Sequence, residues 1–281
     1  MILFHDIDGC LNGQDGQPLG FRREDLSTAH RKELVEFGKV LNQSEIEHLV
    51  LNTGRTWADT EYLAHAIGSS KVKYALVEHG AGLWDIATRT QIHLNEIVQE
   101  HRMDHLNSAL ASLERVSALI QWYEREGHSE LADSLGFGGR LTNGAEQTAN
   151  LTFKVPGELD GEQVLKALKK LVSANAAFQE DRFVYHYGPE GFVDVVGQID
   201  KGIGVEIVAK HLGGDLKNTA GVGNGVNDLS MLEKVGFSLC PSNAESEVKA
   251  LCTERGFVSD HSFINATVVW LSEGTKTTGS A

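Results

Sequence analysis

Two short apolar runs, Ile2-Leu3-Phe4 and Leu49-Val50-Leu51, each stop abruptly at a polar, glycine-bearing loop, and this constrains the fold more than any other feature. The first run ends in Asp6-Ile7-Asp8-Gly9 and the second in Asn52-Thr53-Gly54-Arg55. Continuous apolar runs of this length belong to strands buried on both faces, as in a parallel sheet covered by helices. A helical pattern follows each run, with Leu34, Phe37, Val40 and Leu41 in the first and Tyr62, Leu63 and Ile67 in the second. A third run comes next, Tyr74-Ala75-Leu76-Val77. Such alternation predicts βαβ units and an α/β fold with a doubly wound parallel sheet. Ligands of these sheets gather at the carboxyl ends of the strands, where both polar loops stand.

The pattern changes in the middle of the chain. Residues 85–192 hold a long helical pattern through Ile97, Leu106, Leu110, Leu113 and Ile120, and a glycine-rich stretch at Gly136–Gly139. Two strand-like pieces follow, Asn150–Val155 and Phe183–Tyr187, with a helix expected between them at Gly161–Ser173. This predicts an inserted α+β cap of residues 85–192, with a core built from residues 1–84 and 193–281. The core pattern resumes with a helix at Lys201–Leu212 and a strand at Thr219–Val222. After the Gly223–Asp228 loop come a helix at Leu229–Val235 and a strand at Phe237–Leu239. The small, polar end, Glu273–Ala281, is expected to fray.

Composition narrows the function classes. The chain is 41% hydrophobic and 23% charged, an ordinary globular balance. Its 25 basic and 39 acidic residues leave a formal net charge of -14, which argues against nucleic-acid and anionic-membrane partners. A few well-placed cations can still hold a small anionic substrate. No apolar run has the length of a membrane span. Cys10, Cys240 and Cys252 form no CxxC pair, and the opening MILFHDIDG lacks a signal-peptide pattern. The expectation is a cytoplasmic monomer or homodimer acting on a small molecule.

Four pieces carry the chemistry: Asp6-Ile7-Asp8-Gly9, Thr53-Gly54-Arg55, Lys201, and Gly223-Asn224-Gly225-Val226-Asn227-Asp228. A carboxylate on an exposed strand end can attack phosphorus and form an acyl-phosphate. A second carboxylate two residues on, turned the same way by a bend at Gly9, can protonate the leaving oxygen and then deprotonate water. Two acids so close call for a divalent cation, and hard oxygen ligands suit Mg²⁺. The Thr53 hydroxyl, the Gly54 amide and the Lys201 ammonium suit the phosphoryl oxygens as charge spreads over them.

These pieces, in this order, resemble the four motifs of the haloacid dehalogenase phosphatases, and Val77–Ala81 resembles the family's junction into a cap. The insertion resembles the large cap of the Cof-type, sucrose-phosphatase-like branch, so the resemblance covers nearly the whole chain. It implies that Asp6 is the nucleophile and Asp8 the acid/base. Thr53 and Lys201 would bind the phosphoryl group, aided by Gly9, Gly54 and Arg55, with Asn227 orienting Lys201 or the phosphate. Asp6, the Asp8 backbone carbonyl and the fourth-motif residues Asn224 and Asp228 would hold Mg²⁺. The implied substrate is a small phosphorylated metabolite, a sugar or sugar-acid phosphate.

One position departs from the family pattern. Asn224 stands where the family has Asp, and a neutral amide binds a cation more weakly than a carboxylate does. Two rival readings follow: a phosphomutase or phosphotransferase, and a non-catalytic protein that binds a phosphometabolite. Other patterns read as bland. His101 and His105 lie four apart without the glutamate of a zinc-protease helix, and Cys10 reads as packing. Tyr185, His186 and Tyr187 are alternating strand residues or, less simply, readers of a sugar ring.

Overall fold

The computed structural model describes residues 1–13, 16, 19, 23–92, 150–154, 165–166, 169, 184–187, 192–196 and 199–274. The chain divides into two units, residues 1–97 with 200–281, and residues 98–199.

In the first unit every residue of β1 (Ile2–His5) is buried. Parallel neighbours flank it on both sides, β2 (His48–Asn52) and β9 (Thr219–Val222), with Phe4 beside both Val50 and Gly221. The full sheet has eight strands. Its order is β11 (Gly256–Val258), β10 (Phe237–Cys240), β9, β1, β2, β3 (Val72–Val77), β4 (Gly82–Asp85) and β5 (Thr90–Gln91). The strands from β11 to β3 are mutually parallel, and β4 and β5 add an antiparallel edge. From β1 the chain winds outward through β2 and β3, and later in the other direction through β9, β10 and β11. The winding therefore reverses at β1, and its carboxyl end opens into the crevice where such sheets bind ligands.

The helices form for local reasons. In α1 (Thr28–Gln43) the Ser27 hydroxyl accepts from the His30 amide at 3.1 Å, capping the first turn. Its buried residues His30, Leu34, Phe37 and Leu41 recur at helical spacing; the last three join Leu3 and Leu49 of the sheet in one apolar cluster, while His30 accepts from the Gly13 amide. Among the described residues of this unit the other α-helices are α2 (Ala58–Ile67), α3 (Lys201–His211), α4 (Leu229–Lys234), α5 (Ser246–Arg255) and α6 (Ile264–Ser272). The Trp270 ring of α6 stacks on Phe237 of β10 at 5.7 Å, sealing the sheet on that side. Among the described residues no helix is long and apolar enough to cross a membrane.

The β4–β5 hairpin returns along β3, pairing Leu83 with Leu76, so residues 85–91 extend the large sheet although they were expected in the insertion. In the second unit β6 (Asn150–Lys154), β7 (Val184–Tyr187) and β8 (Phe192–Val196) form an antiparallel sheet in the order β6-β8-β7. The helical pattern through Ile97–Ile120, the Gly136–Gly139 stretch and most of the Gly161–Ser173 helix lie outside the described residues.

Candidate active site

Asp6 is the first residue beyond β1, and its amide donates to Val222 O at 2.9 Å, extending the β1–β9 pairing by one step. The carboxylate is thereby fixed at the carboxyl end of the central strand, almost fully buried. Lys201, the first residue of α3, places its ammonium 2.6 Å from Asp6 Oδ1 and 2.6 Å from Asp228 Oδ1. Its side chain is only 1% exposed, and a buried cation of this size is tolerated only when paired. Burial alone would pull the ammonium down, but the charges of Asp228 and Asp6 hold it above lysine's ordinary range. For Asp6, burial and then the Asp228 charge push the carboxyl upward, against the pull of Lys201.

The chain turns sharply after Asp8. Gly9 has φ +79°, a left-handed conformation that side chains resist, and a Cβ there would lie 2.2 Å from the Asn224 side chain. The Gly9 amide donates to Asn12 Oδ1 at 2.9 Å, and Asn243 donates to its carbonyl at 2.9 Å. Asp8 is left with a side chain 36% exposed, gripped by a buried partner. Arg55 donates from Nε to Asp8 Oδ2 at 2.8 Å and from Nη2 to Asp8 Oδ1 at 2.5 Å. The same guanidinium donates to Leu19 O at 2.8 Å and to the Tyr62 hydroxyl at 3.4 Å. The structure thus engages Arg55 with the second carboxylate of the first motif.

Thr53 is fully buried one residue beyond β2, and its Oγ1 accepts from the Arg55 amide at 3.1 Å. Its carbonyl accepts from the His79 amide at 3.0 Å, and the Arg55 carbonyl from the Glu78 amide at 3.0 Å. Glu78 and His79 have φ of 51° and 56°, two consecutive non-glycine residues in the left-handed region. Strain of this kind persists only where neighbours over-determine it. Here the Thr53–Arg55 loop does so. The corner in turn requires Gly54, because a Cβ there would lie 2.6 Å from His79 Nε2.

The fourth piece, between β9 and α4, divides its work unequally. Asp228 is fully buried, with Oδ1 on Lys201 and Oδ2 accepting from the Asn224 and Gly225 amides at 2.9 and 3.0 Å. Both oxygens are thus engaged in bracing Lys201 and shaping the loop. Asn227 is half-buried beside it, and the contact that orients Lys201 comes from Asp228. Asn224 sits against Gly9, with its side-chain amide near Asp8 O, Asp6 Oδ2 and the Cys10 thiol.

This group has the chemistry of a hard-cation site. Asp6 Oδ2, the Asp8 carbonyl and the Asn224 amide converge, and three carboxylates (Asp6, Asp8, Asp228) stand against two cations, Lys201 and Arg55. Among the described residues no cluster of three His, Cys, Asp or Glu side chains could hold a metal. Asn224 donates its amide nitrogen to Asp8 O at 2.7 Å and to Asp6 Oδ2 at 3.3 Å; a backbone carbonyl and a side-chain amide oxygen are the kinds of ligand that suit Mg²⁺.

Several supporting residues left no signal in the sequence. His5 is fully buried behind Asp6: Nδ1 donates to Asp6 O at 2.6 Å and Nε2 accepts from the Thr267 hydroxyl at 2.9 Å. Burial pushes its imidazole down to about 4, so it is neutral. The Leu19 carbonyl and Asn243 became visible only in three dimensions, because their partners Arg55 and Gly9 lie 36 and 234 positions away. Tyr62 read only as part of a helix face, although Arg55 is seven residues before it. A separate groove opens at the amino ends of the strands, lined by Met1, Ile2, His48, Thr219 and Phe237, at the opposite end of the sheet from this chemistry.

Comparison with known proteins places this geometry. Residues 3–262 match the family profile of the haloacid dehalogenase-like hydrolases. A phosphoglycolate phosphatase of Methanopyrus kandleri is 28% identical over 128 residues, which are 45% of this chain and 51% of that relative. A phosphatase-named protein of Mycoplasma pneumoniae is 44% identical over 57 residues, 20% of each chain. The chain thus spans about half or less of the lengths of these relatives. Among solved structures, the sucrose-phosphatase of Synechocystis, held with sucrose and phosphate, superposes with a TM-score of 0.66 at 14% identity, covering 97% of both chains. At this identity the likeness speaks for the fold.

Proposed function

The chain belongs to the haloacid dehalogenase-like hydrolases, and we propose that it is a Mg²⁺-dependent phosphatase that works through an aspartyl-phosphate on Asp6. One observation carries this reading: a buried carboxylate at the end of the central strand, held by Lys201 at 2.6 Å, with an arginine-clamped second carboxylate two residues on.

In this mechanism an Asp6 carboxylate oxygen attacks phosphorus and the bond to the leaving oxygen breaks. Asp8 gives that oxygen its proton, then takes one from the water that attacks the acyl-phosphate, restoring the Asp6 carboxylate and releasing phosphate. Arg55 holds the Asp8 carboxylate in one orientation through both transfers. Thr53, the Gly54 amide and Lys201 bind the phosphoryl oxygens as their charge develops, and Asp228 keeps the ammonium in place. Mg²⁺, held by Asp6, the Asp8 carbonyl and Asn224, would offset the negative charge of carboxylates and substrate.

The substrate is a small phosphorylated metabolite, which we take to be a sugar or sugar-acid phosphate. The fold likeness to a sucrose-phosphatase supports that class. We assign the choice of leaving group to the second unit, residues 98–199. The test is phosphate release from a panel of sugar and sugar-acid phosphates, in Mg²⁺ and in chelator. Mg²⁺-dependent release supports the reading. Transfer of the phosphoryl group to a second substrate without free phosphate would replace it with a phosphotransferase.

A further inference from the structure

Gly9 is the one residue of the first motif with no side chain to anchor it, and both its peptide planes are pinned from outside. Its amide lies in the plane that carries the Asp8 carbonyl and donates to Asn12 Oδ1 at 2.9 Å. Its carbonyl lies in the next plane and accepts from Asn243 Nδ2 at 2.9 Å, across 234 positions of sequence. Two consecutive amides at the start of α6 hold these asparagines in turn. Asn243 Oδ1 accepts from the Phe263 amide at 2.8 Å, and the Asn12 carbonyl accepts from the Ile264 amide at 3.4 Å. Phe263 has φ 51° and ψ -140°, a strained backbone for a bulky residue, of the kind that gathers at functional sites. A Cβ on Gly16 would lie 3.0 Å from the Phe263 ring, so the same corner also covers the loop beyond Asn12.

We propose that Asn243 is a positioning residue for the first proton transfer. By pinning the Gly9 carbonyl it fixes the turn that aims the Asp8 carboxyl at the leaving oxygen, while Asn12 fixes the neighbouring plane. Arg55 grips the far end of the Asp8 side chain, but its near end moves with the Gly9 torsions, and a glycine at φ +79° relaxes easily. A general acid works only within hydrogen-bond reach of its target, and small misplacements cost rate. Asn243 is itself exposed, so water could satisfy its amide and no burial forces the bridge. The inference rests on the phosphatase reading above and adds to it a residue outside the four motifs.

The experiment compares wild type with Asn243→Ala and Asn243→Asp. Alanine removes both halves of the bridge. Aspartate keeps an oxygen for the Phe263 amide and loses the donor to Gly9, so it decides the question should Asn243→Ala fail to fold. The readout is kcat/KM, which covers the steps through acyl-phosphate formation, on two substrates. One is the sugar phosphate that wild type cleaves fastest, whose alkoxide needs the Asp8 proton as it leaves. The other is p-nitrophenyl phosphate, whose phenolate hardly needs it. Both variants should lose about tenfold to a hundredfold on the sugar phosphate and less than about threefold on p-nitrophenyl phosphate. Equal losses on the two substrates, or no loss on either, overturn the positioning role and leave the phosphatase standing. Wild type that releases phosphate from neither substrate removes the enzymatic reading, and the positioning role with it.

Discussion

Arg55 grips Asp8 through two parallel contacts, Nε to Oδ2 at 2.8 Å and Nη2 to Oδ1 at 2.5 Å, although the two residues lie 47 positions apart. The arginine side chain is 3% exposed and the aspartate 36%, so a buried cation fixes a carboxylate that still reaches solvent. This forked geometry is available to a guanidinium and not to an ammonium. Arg55→Lys should therefore lower kcat more than it raises KM, by about tenfold to a hundredfold, a fraction of what a general acid/base contributes. A rise in KM alone, with kcat intact, would instead make Arg55 a substrate contact.

Lys201 is the hinge of the site's electrostatics. Replacing it with Met leaves Asp6 and Asp228 buried without their shared cation, and breaking such a pair costs about 3–5 kcal/mol. Denaturant melts of Lys201→Met should show a loss of that size. Adding Asp228→Asn to Lys201→Met should restore part of it by removing one uncompensated charge. Additive losses would contradict the shared pairing seen at 2.6 Å on each side.

Gly9→Ala combines two penalties. The backbone at φ +79° disfavours any side chain, by about 1 kcal/mol for a simple left-handed residue. The new Cβ would also press on Asn224 at 2.2 Å. The variant should melt several degrees lower and lose Mg²⁺ binding measured by calorimetry. Wild-type affinity in this variant would place the cation elsewhere.

His5 supplies a pH signature of the metal-free fold. Its folded-state value, lowered to about 4 from 6.5 by burial, means that the unfolded chain takes up the proton first as pH falls. Stability that is fully present above pH 6.5 is lost on going down toward 4, by up to about 3 kcal/mol. Phe37, the Asp6 carbonyl and Thr267 surround the ring, and Asp228 is the charged group whose field it feels. Other groups titrate in this range, so the check is a difference. In chelator, wild type should lose stability relative to His5→Gln between pH 6.5 and 4, and parallel curves would refute a neutral buried His5.

Much of this was readable from the residues. The runs around Phe4, Val50 and Leu76 announced strands because both faces of a parallel sheet must be apolar. Their polar ends announced the site, because the loops beyond the strand ends can seat polar groups such as Asp6 and Thr53 that the sheet interior cannot. The β4–β5 hairpin was not legible: strands of four and two residues are too short to set an alternation, so Asp85 read as the start of the insertion. Residue types in the site were legible, but their partners were not. Asp228 reads as a metal ligand from the sequence, whereas the structure finds both its oxygens on Lys201 and two loop amides. Arg55 likewise reads as a substrate contact until its fork is found on Asp8.

The central claim is that Asp6 itself carries the phosphoryl group. It is tested by quenching the protein during turnover in Mg²⁺, reducing with borohydride and mapping the peptides by mass spectrometry. An acyl-phosphate at Asp6 is reduced to homoserine, so the account predicts homoserine at residue 6 when substrate and Mg²⁺ are both present, and none in chelator or in Asp6→Asn. Continued phosphate release with residue 6 unmodified, or by Asp6→Asn at the wild-type rate, would contradict it.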